Sequence, residues 1–469
     1  MGQGPRSLTF PDELEPLIKA LKDIQVERDI QIYVVGGYVR DFILGIPRSE
    51  MDIVVEGASG PEIAESVAAR LGLHRPVIFE RFGTAQIRYS NYQIEFVTAR
   101  TEEYPSKTSR KPVVAPADLF NDIMRRDFTI NTLLASLDGE IIDLTGLALQ
   151  HLQQKLIKTP RDPWSTFDED PLRMLRAARF AAQLGFNVDD EVINAARDMA
   201  YRITEAVAVE RIRIEFEKLV CSRYPVLGFN ILQKSGLLHY ILPEFEACLG
   251  IGKGGYHDDD VYHHTLRAME LARPYLELRL ACLLHDIAKP VTMTQEGNRI
   301  YFRNHHTVGA EMSVIILRRL RFSNSTIERV AKLVELHLRP VYYTDDWTDG
   351  AVRRLVRDAG EDIDLLLELA DADIKASEYP DKEKIRRLRE RINEINAREA
   401  VTLKPPLNGY ELMQLYGKGP GPWIGHVQRK LMEALLDGTI KNDKQDAIRY
   451  LKEHPELEEV KSQSPRNDN

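Results

Sequence analysis

The chain has few cysteines, no long apolar run and no excess of positive charge. Only three of its 469 residues are cysteine, and their wide, irregular spacing fits neither a zinc cluster nor a disulfide framework. No apolar run approaches the ~20 residues that cross a bilayer, and the first residues lack the apolar segment of a signal peptide. We therefore expect a cytoplasmic protein in a reducing compartment, with no membrane partner.

The charge balance is slightly acidic, with 63 Lys and Arg against 72 Asp and Glu and a net charge of -9. Nothing in this balance indicates a nucleic-acid partner, so any such contact must come from local basic groups. One group, Lys107, Arg110 and Lys111, lies in a single segment. A second consists of Arg173, Arg176, Arg179, Arg211 and Arg213. Solvated helix faces explain most charge runs and remain the alternative for each one.

The pattern of apolar residues predicts an α+β multidomain protein. From residue 30 to about 158, strands alternate with helices, including two strands joined by a turn at Ser90 and Asn91. After Pro160 and Pro163, apolar residues recur at helical spacing almost to the end. We expect a small mixed-sheet head at 1–158, a helical neck at 159–250, a helical body at 251–400 and a helical tail at 401–469, with disorder at 462–469.

A glycine turn and two alternating carboxylates stand within one strand-helix-strand unit. Gly36 and Gly37 follow an apolar strand, where the backbone can turn sharply and aim N–H groups at a phosphate. Glu50 and Asp52 are two apart on the next strand, so their side chains project to the same face and can share Mg²⁺ ions. A merely polar strand face is the alternative for this motif alone. The combination predicts metal-assisted nucleotidyl transfer.

A third motif begins at Glu169 and Asp170, whose acidic side chains and Pro171 are typical of a helix start. Asp170 and Arg173 are three apart, so a carboxylate and a guanidinium can meet one planar ligand edge-on. Cytosine and adenine present the complementary amino group and ring nitrogen, whereas guanine and uracil leave buried groups unpaired. The spacing therefore predicts selection of C and A, with an ordinary salt bridge as the alternative for this pair alone.

In this order, with Arg125-Arg126-Asp127-Phe128-Thr129-Ile130-Asn131 between them, these motifs resemble the class of tRNA nucleotidyltransferases that includes CCA-adding enzymes and poly(A) polymerases. The resemblance covers residues 30 to 250. It implies a nucleotidyltransferase head, with tRNA, CTP and ATP as partners and substrates. It also implies triphosphate binding at the glycine turn and Arg40, ribose contacts from Arg126 and Asp127, and a base template of Asp170 and Arg173.

The resemblance further implies two Mg²⁺ ions at the acidic pair. The family usually has Asp at the first position, where this chain has Glu50. We expect Glu50 still to bind metal, with Glu95 on the neighbouring strand as a third carboxylate. Arg176 and Arg179 continue along the template helix and are expected to hold the triphosphate or the acceptor strand. Residues 100–116 occupy the position of the family's flexible loop, which favours addition of the terminal A.

The segment 255–400 resembles HD-domain metallophosphohydrolases. Its ligand order implies a second metal site, with His305 and His337 nearby, formed by His264, His285, Asp286 and Asp373. Imidazoles and carboxylates suit Mn²⁺, Ni²⁺, Fe²⁺ or Mg²⁺. A purely structural role for these histidines is the alternative, and Asp362, Asp364 or Asp371 could replace Asp373 as the last ligand.

We predict an enzyme that adds C and/or A residues to the tRNA 3′ end by two-metal transfer without a nucleic-acid template. One alternative is an HD phosphohydrolase with an inactive head, and another is a noncatalytic RNA-binding protein. Within the transferase class, CC-only, A-only and poly(A)-adding enzymes remain open. The sequence indicates no particular oligomeric state.

Overall fold

A computed structural model describes residues 7–80, 83–103, 113–116, 118–252, 260–297, 299–398, 405–436 and 438–458. Within these ranges, no helix is long and apolar enough to cross a membrane. All three cysteines lie within them, and none of the three forms a disulfide among the described residues. The expected basic group at Lys107, Arg110 and Lys111 and the expected disorder at 462–469 lie outside the described residues.

Among the described residues, the head contains nine strands, several of them rich in β-branched residues that fit a pleated surface. They are β1 (Gln31–Val35), β2 (Glu50–Glu56), β3 (Val77–Phe79), β4 (Thr84–Tyr89), β5 (Tyr92–Thr98), β6 (Arg100–Glu103), β7 (Val113–Pro116), β8 (Leu134–Ser136) and β9 (Ile141–Ile142). Seven form one sheet in the order β3-β4-β5-β2-β1-β8-β9, and β6 pairs with β7 separately. The predicted hairpin of β4 and β5 at Ser90 and Asn91 is confirmed.

The register of this sheet positions the carboxylates. β2 is antiparallel to β1, and Asp52 lies opposite Val35, the residue before the glycine turn. β2 and β5 are parallel, with Asp52 directly opposite Glu95. The sheet is therefore mixed, as predicted. Its buried core beside the site includes Val35, Val54 and Leu134.

Thirteen α-helices also lie among the described residues up to Glu246. They are α1 (Glu15–Arg28), α2 (Gly37–Ile43), α3 (Gly60–Arg70), α4 (Leu119–Met124), α5 (Ala148–Gln154), α6 (Pro163–Glu169), α7 (Leu172–Leu184), α8 (Asp190–Met199), α9 (Arg202–Ala206), α10 (Val209–Val220), α11 (Pro225–Lys234), α12 (Leu237–Ile241) and α13 (Pro243–Glu246). Short strands β10 (Leu156–Ile157) and β11 (Asn187–Val188) pair in parallel. Helix α7 packs against α10 and α11. Its Gly185 cap is left-handed, with φ 68°, a conformation that favours glycine.

Where the structure describes it, the remaining chain is helical except for one antiparallel hairpin, β12 (Met293–Glu296) and β13 (Arg299–Phe302). The helices are α14 (Val261–Leu271), α15 (Leu276–Leu284), α16 (Lys289–Thr292), α17 (His305–Arg319), α18 (Asn324–Leu336), α19 (Leu338–Val341), α20 (Asp349–Ala359), α21 (Ile363–Ala376), α22 (Lys384–Arg398), α23 (Gly409–Tyr416), α24 (Pro422–Leu436) and α25 (Lys444–Glu453). Short 3-10 helices occupy Asp12–Leu14, Thr129–Asn131, Gly360–Asp362 and Pro455–Glu458. The α+β fold class is confirmed.

The chain folds into two compact units. One consists of Met1–Leu249, Pro274–Leu276 and Ile316–Ser323, and the other of the remaining residues. Near the end of the second unit, residues between Leu407 and Leu451 form a hydrophobic cluster of their own. The division into head, neck, body and tail at 158, 250 and 400 stays a prediction.

Candidate active site and second metal centre

Asp52 and Glu95 are neighbours across the parallel β2–β5 pair. Burial raises the pKa of Asp52, and Glu50 raises it further, although Arg126 and Arg48 oppose this. Burial and then Asp52 likewise raise the pKa of Glu95. Two carboxylates that disfavour each other's charge gain stability from a bound cation, so this donor set fits Mg²⁺.

Glu50 lies on the same strand but is engaged differently. Its side chain is 63% exposed, and its Oε2 accepts a hydrogen bond of 2.9 Å from Arg48. The other terminal nitrogen of Arg48, Nη1, donates to the buried carboxylate of Asp41, also at 2.9 Å. A side chain at Gly37 would collide with this guanidinium, because its Cβ would lie 2.2 Å from Arg48 Nη1. Arg48 therefore connects the glycine turn to Glu50.

The glycine turn lies beside Asp52, as the register requires. Gly36 has φ 74°, and a Cβ there would lie 3.1 Å from Arg126 Nη1 and 4.0 Å from Asp52 Oδ2. The absence of a side chain thus leaves space between a guanidinium and a carboxylate. Arg40 on α2 is buried, and it donates to Asp41 at 2.7 Å and to Asn131 at 2.6 Å. Arg40 and Arg126 therefore both place positive charge beside the glycine turn.

Asp170 and Arg173 do not bind each other in the described structure, so the alternative of an ordinary salt bridge between them is not the arrangement found. Helix α7 begins at Leu172 with Pro171 as its cap, so Asp170 precedes the helix. Asp170 Oδ2 accepts a hydrogen bond of 2.8 Å from Arg211 on α10. Arg173 instead donates to Glu169 at 3.1 Å. Both side chains line the same cleft, and their role in base selection stays a prediction.

Arg176 and Arg179 are held by two buried carboxylates. Arg176 Nη2 lies 2.6 Å from Asp127 Oδ2. Burial opposes the ionisation of Asp127, yet Arg176 and a hydrogen bond from Asn131 hold its pKa below the usual range. Arg179 pairs with Glu215 on α10, and its guanidinium lies 3.7 Å from the centre of the Phe180 ring. These contacts hold the two guanidinium groups in place before any ligand binds.

Except for Glu169 and Glu215, the charged groups described above line one cleft of about 890 Å³. Its described lining contains eleven Lys or Arg side chains and six carboxylates, an excess of five positive charges. The chain as a whole has a net charge of -9. The cleft therefore concentrates positive charge around a carboxylate pair, an arrangement that attracts a polyanion and leaves a place for metal.

The structure also identifies residues that the sequence analysis did not assign to the site. Arg48 and Glu215 were not considered, and Arg211 was noted only as part of a basic group. On α10, Arg211 and Glu215 are four apart, so they lie on one helix face. This spacing is a signal that could have been found, but the sequence does not show which cleft the face lines.

A second cluster forms in the helical unit from the predicted HD ligands. His264 Nε2 lies 3.0 Å from Asp373 Oδ1, and His285 Nε2 lies 3.3 Å from Asp286 Oδ2. His305 Nε2 lies 3.4 Å from Asp286 Oδ1. Two overlapping groups have ligand atoms within 4.8 Å of one another, namely His264, His285 and Asp286, and Asp286, His305 and His337.

Three of these histidines are oriented by backbone carbonyls. The Nδ1 atoms of His285, His305 and His337 lie 2.7, 2.8 and 2.6 Å from carbonyl oxygens. A carbonyl can only accept, so each Nδ1 carries the proton, and each Nε2 is buried without a hydrogen-bond partner among the described residues. Burial lowers the pKa of His337 to about 3, which keeps its ring neutral. The balance at His285 differs, since burial opposes its charge but Asp286 and Asp373 raise its pKa to about 9, and a divalent ion there would take the place of that proton. Nε2 atoms gathered beside carboxylates fit a divalent metal ion.

The position of the last carboxylate is also defined. Asp373 on α21 is buried beside His264. Asp371 pairs with Lys375, Asp364 with Arg389, and Asp362 with Arg329 and Lys332. Of the four candidates, Asp373 is the one within the cluster. Lys289 adds a cation, with Nζ 2.6 Å from Asp286 Oδ2.

The glycine turn, paired carboxylates and arginine-rich cleft define the chain as a nucleotidyltransferase. Three family models agree in order along the chain: Poly A polymerase head domain at 32–158, Probable RNA and SrmB-binding site of polymerase A at 185–249, and HD domain at 261–376. The A-adding tRNA nucleotidyltransferase of Deinococcus radiodurans is 31% identical over 424 residues, covering 87% of this chain and 92% of that protein. The chain therefore belongs to the tRNA nucleotidyltransferase family.

Two solved structures share the fold. The Bacillus stearothermophilus CCA-adding enzyme in complex with CTP has a TM-score of 0.69 at 23% identity, covering 95% of this chain and 98% of that chain. The Thermotoga maritima CCA-adding enzyme in complex with tRNA has a TM-score of 0.58 at 22% identity, covering 95% and 96%. The family resemblance is thus confirmed, and the head and HD-type segments lie in the expected order.

Proposed function

We propose that the enzyme adds C and/or A residues to the 3′ end of tRNA, using CTP and ATP and no nucleic-acid template. The observation that carries this proposal is one cleft that combines the Asp52–Glu95 pair, the glycine turn and the Asp170 and Arg173 side chains. The relative from Deinococcus radiodurans is named as an A-adding enzyme, which supports tRNA as the acceptor. The alternative of a phosphohydrolase with an inactive head is not favoured.

Glu50, Asp52 and Glu95 are proposed to hold two Mg²⁺ ions. When bound, the ions neutralise charge on the reacting phosphate and lower the pKa of the attacking 3′-hydroxyl. Asp52 and Glu95 supply neighbouring carboxylates on a rigid strand pair. Arg48 restrains Glu50 from the side of the glycine turn, and this limits the reach of the longer side chain.

The arginines of the cleft are proposed to bind the nucleotide. Arg40, Arg176 and Arg179 surround the Phe180 ring, with guanidinium carbons 3.7 to 5.4 Å from its centre. Their fixed positions suit a triphosphate, because a preorganised site loses little entropy on binding. Gly36, Gly37 and Arg126 line the cleft beside Asp52, where the reacting phosphate must lie. Asp127 positions Arg176 and is assigned to the ribose side of the site.

Base selection is assigned to Asp170 and Arg173. An acceptor and a donor side by side match the amino group and ring nitrogen of cytosine or adenine. Uracil and guanine would leave buried groups unpaired, which costs binding energy. For this assignment to hold, Arg173 must turn from Glu169 toward the base when the nucleotide binds.

The test uses three tRNA transcripts that end before CCA, after the first C and after the second C. Each is incubated with Mg²⁺ and labelled CTP, ATP, GTP or UTP, and product length is read on a sequencing gel. Addition of CCA, of CC or of one A assigns the enzyme within its class, and long A tails on unrelated primers indicate poly(A) synthesis. No incorporation on any transcript would contradict the proposal.

The HD-type cluster is proposed to bind a divalent ion through His264, His285, Asp286 and Asp373, with His305 and His337 as further ligands. The buried Nε2 atoms of three histidines support this. Metal content of the purified protein is measured for the native chain, for His285→Ala and for Asp371→Asn as the control. We expect loss of metal in the first variant alone, and equal content in all three would contradict the site. Phosphate release from nucleotide monophosphates and cyclic diesters then tests hydrolysis.

A further inference from the structure

The rim of the active cleft contains two cations that the assigned chemistry does not use. Lys218 lies near the end of α10, and Arg223 lies in the turn that follows it. Both side chains line the same cleft as Asp52 and Glu95. Both are exposed, and neither forms an ion pair with a carboxylate among the described residues. Both also fall within the segment that resembles the probable RNA-binding region of polymerase A.

The interior arginines of the cleft differ from these two residues. Arg176 and Arg179 are held by Asp127 and Glu215, so protein carboxylates already compensate part of their charge. Lys218 lies three residues beyond Glu215 on α10, and thus on the same cleft-facing side of that helix. The positive charge of the cleft therefore continues outward to its rim, where it has no internal partner among the residues that the structure describes.

An aromatic ring lies next to the rim. The N–H of Tyr224 donates to the Ala182 carbonyl at 2.9 Å, which anchors the residue to the last turn of α7. A Cβ at Gly185 would lie 2.9 Å from the Tyr224 ring, so the missing side chain lets the ring pack closely there. The guanidinium of Arg223 lies 5.3 Å from the ring centre, and Tyr224 is 36% exposed. A fixed, partly exposed ring beside a cation is an arrangement that binds single-stranded nucleic acid.

We infer that Lys218, Arg223 and Tyr224 bind the single-stranded 3′ end of the acceptor RNA and guide it to Asp52. The inference deepens the proposed function and rests on it. Lys218 and Arg223 contact backbone phosphates, and Tyr224 stacks on an unpaired base. Exposed, uncompensated cations suit a strand that enters from solvent, whereas the buried arginines suit the triphosphate of the incoming nucleotide.

The test compares the double variant Lys218→Gln/Arg223→Gln with Lys234→Gln. Lys234 is an exposed lysine of the same helical segment that does not line the cleft. We expect KM for tRNA to rise about tenfold in the double variant, with KM for CTP and ATP within about twofold of the native value. The slope of log Kd for tRNA against log salt should fall by about 1.4, since each single-strand phosphate contact contributes about 0.7.

Tyr224 is tested separately. Tyr224→Phe keeps a stacking face, whereas Tyr224→Leu keeps apolar packing on Gly185 without one. We expect KM for tRNA to rise about fivefold or more with Leu and to stay near native with Phe, because base stacking requires the ring. Equal loss in both variants would show that stacking does not contribute and would overturn this part.

Retention of 3′-truncated tRNA on filters measures binding independently of catalysis. If the native enzyme incorporates no nucleotide, the proposed function fails, and filter binding still decides the role of the rim. The inference is overturned if the double variant binds tRNA as tightly as Lys234→Gln does. It is also overturned if the substitutions raise KM for the nucleotides and leave KM for tRNA unchanged.

Discussion

Asp170 is bound by Arg211 from a different helix, with Nη2 and Oδ2 2.8 Å apart and the two residues 41 positions apart in sequence. Arg211 is 46% exposed at its side chain, whereas Asp170 is 14% exposed. The carboxylate proposed to read the base is therefore already oriented by a cation at the mouth of the cleft. Arg173, the other residue proposed to read the base, is held by Glu169.

Arg211→Met should disturb nucleotide choice, because Asp170 loses the contact that orients it. We expect kcat/KM for CTP or ATP to fall about tenfold and the preference over UTP and GTP to narrow. Arg211→Lys should keep part of the native kcat/KM and part of the nucleotide preference. Arg197→Met on α8 serves as the control. Unchanged preference in Arg211→Met would contradict the positioning role.

Asp52 and Glu50 should not contribute equally to nucleotide incorporation. Asp52→Asn should lower incorporation about 1,000-fold, since it removes the carboxylate that lies beside both the glycine turn and Glu95. Glu50→Gln should lower it about 10- to 100-fold, because Glu50 is exposed and partly held by Arg48. Incorporation is measured at saturating CTP and ATP, with Glu65→Gln on α3 as the control. Full activity in Glu50→Gln would remove Glu50 from the metal site.

Glu95→Gln should affect thermal stability in a Mg²⁺-dependent way. Burial and then Asp52 raise the folded-state pKa of Glu95 above its ordinary value of 4.5. The protonated side chain therefore contributes its full stability below pH 4.5, and this contribution is lost as pH rises through the folded-state pKa. At pH 7 the ionised, partly buried Glu95 disfavours folding.

In metal-free buffer at pH 7, we therefore expect Glu95→Gln to raise Tm by roughly 1 to 3 °C. Mg²⁺ should stabilise the native protein more than this variant, because the variant lacks one ligand. Differential scanning fluorimetry with and without Mg²⁺ measures both effects, and Glu65→Gln should respond to Mg²⁺ as the native protein does. Equal Mg²⁺ stabilisation in native and Glu95→Gln protein would contradict a ligand role for Glu95.

Among the residues of the cleft, Asp127 should contribute most to the loss of folding stability at acidic pH. Burial opposes its charge, but Arg176 and Asn131 hold its folded-state pKa below 3.8. The stabilisation is therefore present above pH 3.8 and is lost as pH falls through the lower folded pKa.

Asp127→Asn should destabilise the protein by about 3 kcal/mol at neutral pH, since it leaves Arg176 without its closest carboxylate. The difference from the native protein should narrow below pH 3.8 in urea denaturation curves. Asp138→Asn, at an exposed pair with Lys22, is the control. A constant difference at all pH values would show that Asp127 does not titrate as described.

Several site features could be predicted from local sequence. The alternation of β2 put Glu50 and Asp52 on one face. Gly36 lies beside Asp52 because it follows Val35, which is opposite Asp52 in the antiparallel β1–β2 pair. The residues that the HD resemblance implied also lie close together, since His264, His285 and Asp286 form one group and Asp373 contacts His264. Helical spacing predicted that Asp170 and Arg173 can meet one ligand, and both line the cleft, but local spacing did not show that Arg211 binds Asp170 and Glu169 binds Arg173.

The sequence by itself determined which side chains share a strand or helix face, because those periods follow from backbone geometry. It therefore determined the glycine turn, the alternating carboxylates and the amphipathic helices. Only the tertiary structure decided that Asp52 lies opposite Glu95, that Arg211 binds Asp170 and that Asp373 completes the histidine cluster. Such partners are distant in the chain, and the packing of whole elements selects them from many side chains of the same chemistry.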